Sequence, residues 1–122
     1  GGGPLPPPPS VPAGEGIAAE LGGGRFEIRV EWTDPRTGTS GVARMEALSE
    51  DTASAWFFLP DNVELLVKVL DGRPVNGHFW VFYASLTDVE YTIRVLDRED
   101  GVERRYHKPP LVLLSGADTA AF

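Results

Sequence analysis

His78 and His107 are the only imidazoles in the chain, and zinc-type metal binding or imidazole proton transfer near neutral pH would have to start from them. They fall on different predicted strands, and no His-Glu-x-x-His pattern sets two imidazoles one helical turn apart. His78 alternates with Trp80 and Phe82, which reads as a strand histidine. Carboxylates gather at "DRED", Asp97 to Asp100, with Asp34, Asp61, Asp88 and Glu90 near other turns. Turn oxygens suit a hard cation such as calcium, but the spacing matches no EF-hand, so these read as solvated turn acids. A glycosidase needs two carboxyls facing across a cleft, and nothing in the pattern points to one. "GTSG" at 38–41 is not the Gly-x-Ser-x-Gly elbow, and no helix follows it. The glycines at 22–24 run into a strand, whereas phosphate-binding loops open a helix. With no Cys in the chain, disulfides and thiolate metal sites are excluded. The expectation is a protein that is not an enzyme, with no catalytic residue, cofactor or metal.

The elements that would position any site are strands. In "RFEIRVEWT", Phe26, Ile28, Val30 and Trp32 alternate with Arg25, Glu27, Arg29 and Glu31. That period of two gives one buried and one wet face. "VARMEAL" places Ala43, Met45 and Ala47 together. "SAWFFLPDN" stops at Pro60. "VELLVKVL" at 63–70 aligns Val63, Leu65, Val67 and Val69, and a hairpin loop, "DGRPVNG", leads to "HFWVFYA". "VEYTIRVLD" alternates through Tyr91, Ile93 and Val95, and "VERRYHK" runs to Pro109-Pro110. Seven strands with short turns predict an all-β fold. The expected form is an antiparallel β-sandwich, immunoglobulin-like in broad architecture, with a small closed barrel as the alternative. At most one short helix is expected, near residues 16–21.

Eleven Lys and Arg face 18 Asp and Glu, a formal net charge of -7. That balance disfavours nucleic acid and anionic membrane surfaces. No apolar run reaches the roughly 18 residues of a membrane span. Residues 1–16 read as a Pro- and Gly-rich N-terminal arm and 17–122 as the β-domain. Pro4 and then Pro6, Pro7, Pro8 and Pro9 favour a polyproline II rod, and twelve residues of it span about 37 Å.

Residues 63–84 pose a packing problem. Phe79, Val81 and Tyr83 point one way, Trp80 and Phe82 the other, and Leu66 and Leu70 share the second face. An outer strand with a solvated side should be polar there. Either another strand or the closing "LVLLSGADTAAF" folds over this face, or a neighbouring subunit covers it. A polyproline rod docks well on aromatic surfaces. The expected interface is therefore Leu5, Pro6, Pro7, Pro8, Pro9 and Val11 of the arm with Leu66, Trp80 and Phe82 of the domain.

"GRFEIRVEW", "WFFLPDNVELLVKVLDG", "VNGHFWVFYASLTDVEYTIRV" and the closing "DTAAF" resemble an uncharacterised domain. It recurs, often C-terminally, in predicted secreted or surface proteins of environmental bacteria. The likeness covers about residues 20–122. It implies an exported β-domain of structural or adhesive type, hence an extracellular or cell-surface location. Relatives of this type carry Cys at positions corresponding to Glu20 and Arg73, which implies that these two side chains lie close together. Together these readings predict a structural subunit of an extracellular bacterial assembly or filament. It would be a homo-oligomer or homopolymer joined through the arm. The alternative is a secreted carbohydrate- or peptide-binding module on a Pro-rich linker.

Overall fold

A computed structural model describes residues 16–122. Ten strands and one short helix follow in order: β1 (Ala19–Leu21), β2 (Phe26–Asp34), β3 (Thr39–Val42), β4 (Arg44–Ala47), β5 (Thr52–Trp56), β6 (Leu65–Gly72), α1 (Arg73–Asn76), β7 (His78–Ser85), β8 (Glu90–Asp97), β9 (Val102–Lys108) and β10 (Ser115–Asp118). The chain is all-β in two antiparallel sheets. The first runs β1-β2-β8-β9, with β3 also on β2, and the second runs β10-β7-β6-β5-β4.

The alternation in the sequence sets which side of each strand is buried. Ile28, Val30, Ile93 and Val95 of the first sheet share one core with Met45, Ala53, Ala55, Val67 and Val81 of the second. Ala43 and Met45 are buried as expected, but Ala47 is exposed. Val63 lies before β6 and is also exposed.

Three strands go beyond the seven expected. β1, β3 and β10 are only three or four residues long and carry little apolar alternation. They form because longer neighbours offer free backbone groups. β10 pairs with β7 from Ser115↔Ala84 to Asp118↔Val81. The expected helix near 16–21 is strand β1. The helical turn falls instead inside the β6–β7 hairpin, where Pro74 suits the first turn and Gly77 closes it in the left-handed region at φ 83°.

The register gathers the loops at two ends. Residues 22–25, 48–51, 73–77 and 98–101 lie at one end, and 35–38, 57–64, 86–89 and 109–114 at the other. At the first end the Asp97 side chain is fully buried. Arg25 donates to it through Nε and Nη2, both at 3.0 Å, and the Glu99 amide adds a third bond. Burial pushes the Asp97 carboxyl up, but the Arg25 pair and the Glu99 amide outweigh it and hold the group below its ordinary value.

Because its folded value is depressed, the stability Asp97 contributes is present above the ordinary carboxylate range and is lost as pH falls through that folded value. Asp71, held at about 2 by Arg73, adds the same sign of dependence. Urea midpoints should therefore be level near neutrality and fall below about pH 4. Arg25→Ala should cost about 3 kcal/mol at neutral pH, because it strands a buried carboxylate. It should also flatten the acid limb, and an unchanged acid limb would show that Asp97 does not drive it.

Candidate functional site

The most unusual surface of the described domain is the outer face of the second sheet. Pairing Ser54↔Leu66↔Ala84 and Lys68↔Phe82↔Ala117 sets rows of side chains across four strands. Leu66 and Leu70 of β6 and Trp80 and Phe82 of β7 are half-buried on this side. Their strand neighbours Val67, Val69, Phe79 and Val81 enter the core. Leu66, Trp80 and Phe82, the domain half of the expected interface, thus share one face. The other half, Leu5, Pro6, Pro7, Pro8, Pro9 and Val11, lies outside the described residues.

Trp80 is held in place. Its indole Nε1–H donates to Asn76 Oδ1 at 2.8 Å, and Asn76 Nδ2 is itself anchored on the Thr119 carbonyl at 2.7 Å. The indole lies against Gly72, where an added Cβ would come within 2.1 Å of the ring. Phe82 meets Trp80 edge to face, with centroids 6.2 Å apart. The end of β6 therefore supplies the seat of an aromatic platform and the helical turn its latch.

The closing segment does not fold over this platform. β10 extends the sheet at the free edge of β7. The last residue plugs the far end of the core, where Phe122 exchanges backbone hydrogen bonds with Phe79 and its ring lies 5.3 Å from Phe26. Exposed backbone at a strand edge attracts a pairing partner more strongly than an apolar face attracts an unstructured loop. Residues 111–114, read as possible cover, are exposed instead.

Other candidate chemistry disperses. His78 is exposed on the platform side of β7, with Nδ1 3.2 Å from the Phe122 carbonyl. His107 lies in the other sheet and pairs with Glu90 at 2.7 Å. Among the described residues no three metal-ligating side chains converge, and no helix is long and apolar enough to cross a membrane. Glu20 pairs with Arg98 and Arg73 with Asp71, and among the described residues no ion pair joins Glu20 to Arg73. The resemblance-based closeness of those two positions gains no support from these pairings.

One feature was not legible in the sequence. Lys108, at the end of β9, is completely buried. Its ammonium donates to the carbonyls of Pro109 (3.0 Å) and Val112 (2.7 Å) and lies 5.2 Å from the Tyr91 ring centroid. Burial lowers its pKa below the ordinary 10.5. Ser85 Oγ, also bonded to the Tyr91 hydroxyl, donates to the Leu114 carbonyl, and the Leu111 amide donates to the Asp88 carbonyl at 2.7 Å. The 109–114 loop is thus fixed from three sides. A lysine before two prolines reads as an ordinary strand end, so no sequence signal marked it.

No family model, curated protein or solved structure matches the chain.

Gly72→Ala should push Trp80 off its seat. The expected cost is about 1–3 kcal/mol in urea unfolding, with a change in tryptophan emission. Unaltered emission and stability would mean that the platform does not depend on this contact. Lys108→Met keeps the length of the side chain but removes the charge. The folded lysine has a depressed pKa, so the unfolded state binds more protons just below pH 10.5, and wild-type stability gains from rising pH in that window. The variant should lack that gain, as read from paired urea titrations at neutral and alkaline pH.

Proposed function

We propose that this protein is a structural subunit of an extracellular or cell-surface bacterial assembly or filament. Its two sheets are read as an immunoglobulin-like sandwich, and the Pro-rich arm of one copy packs on the domain of the next. The observation that carries this reading is the outer face of β6 and β7. Leu66, Trp80 and Phe82 form an apolar platform there, and the indole is latched by Asn76 and seated on Gly72. Aromatic platforms of this kind accept polyproline segments, which lose little conformational entropy on docking. The arm brings Leu5, Pro6, Pro7, Pro8, Pro9 and Val11. Contact between an arm and a different surface on the next copy is heterologous, and a heterologous contact propagates unless the ring closes. No catalysis is assigned, because the titratable groups that meet in the described domain, on the first sheet and around Asp97, are matched in ion pairs.

A second reading rests on the same indole. A flat, fixed tryptophan beside a phenylalanine also suits a sugar ring or a peptide, and the domain would then be a secreted binding module on a Pro-rich linker.

Deleting residues 1–12 separates the two. Negative-stain microscopy should show polymers of the full chain, and the truncated chain should keep its β circular dichroism and form none. Trp80→Asp in the full chain should do the same. If truncation leaves the polymers intact, the arm is a linker and the structural reading fails. A monomeric full chain that binds glycans or peptides through Trp80 would establish the second reading.

A further inference from the structure

The end of the domain formed by loops 57–64, 86–89 and 109–114 carries an apolar surface that the platform does not include. Phe58 and Leu59 come from the first loop, Leu86 from the second, and residues 111–114 from the third. Leu59, Leu111 and Leu113 are each more than 60% exposed, at 61%, 63% and 67%. Together these seven residues present roughly 700 Å² to solvent, backbone included. That is above the upper end of the apolar patches usual on a monomer and near one partner's share of the smaller specific interfaces.

The loop that presents most of this surface is built to hold it. Lys108 is buried under it and bonds two of its carbonyls, Ser85 bonds a third, and Asp88 accepts from the Leu111 amide. Leu111 itself adopts φ 66°, a left-handed conformation that a bulky L-residue rarely takes. A loop that was only a connection would gain by turning these leucines inward or replacing Leu111 with glycine. Here the anchors keep them out.

We propose that this end is a self-complementary interface, at which two copies of the chain meet about a twofold axis. Two observations select a second copy over other occupants. First, the area suits one half of a protein–protein interface. Second, most of the charges here are paired or buried. Arg36 pairs with Asp88, Glu64 is buried and accepts from the Phe57 amide, and Lys108 is enclosed. Asp61 remains as an exposed charge on the 57–64 loop. Two molecules of charge -7 repel over most of their surfaces and can approach with least penalty where charge is compensated and apolar area is large. Residues 58, 59 and 111–114 pack at the centre, with the Arg36–Asp88 pair toward the rim.

The test is sedimentation equilibrium of the full-length chain, with Leu59→Asp and Leu113→Asp made separately. Both positions are exposed in the monomer, so circular dichroism should be unchanged. The wild type should show dimers as the smallest associated species from which arm-linked polymers grow, and each variant should weaken dimer formation by about thirtyfold or more, the loss associated with a central anchor. Trp80→Asp should leave this dimer intact while removing arm-dependent polymers, so the two contacts can fail separately. A wild type that is monomeric at every concentration would overturn the inference, as would dimers unaffected by both aspartates. Flotation with neutral phosphatidylcholine vesicles is the control. Leu113-dependent capture without dimers would assign the surface to lipid and also overturn it.

Discussion

Everything in this domain rests on two sheets keeping their alternation aligned across one shared core. A one-residue slip in a strand sends its apolar set to the solvent face. In β2 and β8 that penalty is severe, because Ile28, Val30, Ile93 and Val95 would trade places with Arg29, Glu31 and Arg94. In β6 and β7 it is milder, since apart from Lys68 and His78 both faces of the hairpin are largely apolar. Other contacts must fix the register there. The helical turn at 73–76 with Gly77 sets the hairpin length. Trp80 fits only over Gly72, and Tyr83 fits only over Gly116, where an added Cβ would come within 2.3 Å of its ring. Glycine here works as an absence of volume that a specific aromatic ring fills.

The two outer faces solve different problems. The first sheet carries a ladder of ion pairs, with Glu27 between Arg29 and Arg98, and Glu103 between Arg94 and Arg105. Exposed pairs of this kind contribute about 0–1 kcal/mol each, so their main effect is to keep that face wetted and unattractive to partners. The second sheet has no comparable ladder among the described residues, and its rows run through Leu66, Phe82, Trp80 and Ala84. Such asymmetry directs any partner to one side.

Much of this was readable from residue order. The strict alternation in "RFEIRVEWT" and "YTIRV" located β2 and β8, and the doubled apolar pattern of residues 63–84 marked the platform, because both signals are local. What escaped reading depends on backbone pairing or on distant neighbours. "SGAD" has no strand pattern, yet it pairs with β7 because that edge was open. "IAAEL" fits a helical turn or a strand equally well, and β2 decides between them. "LVLL" looks like core, and only the placement of Lys108, Ser85 and Asp88 around it shows why it stays outside. Burial of a lone lysine leaves no mark on a sequence, since the groups that satisfy it are carbonyls that every residue possesses.

The symmetry of the two proposed contacts constrains the kind of assembly they could build. Arm on platform joins unlike surfaces, so on its own it yields a polar chain in which every copy points the same way. Apolar end on apolar end joins like surfaces, so on its own it stops at two copies. Combined, they give antiparallel pairs extended through their arms, and an assembly without overall polarity. Polarity is thus a property of the whole that reports on individual loops. A polar assembly would require the 109–114 surface to be covered in some other way. An apolar patch of that size left in water favours uncontrolled association, which is the physical ground for proposing a partner there.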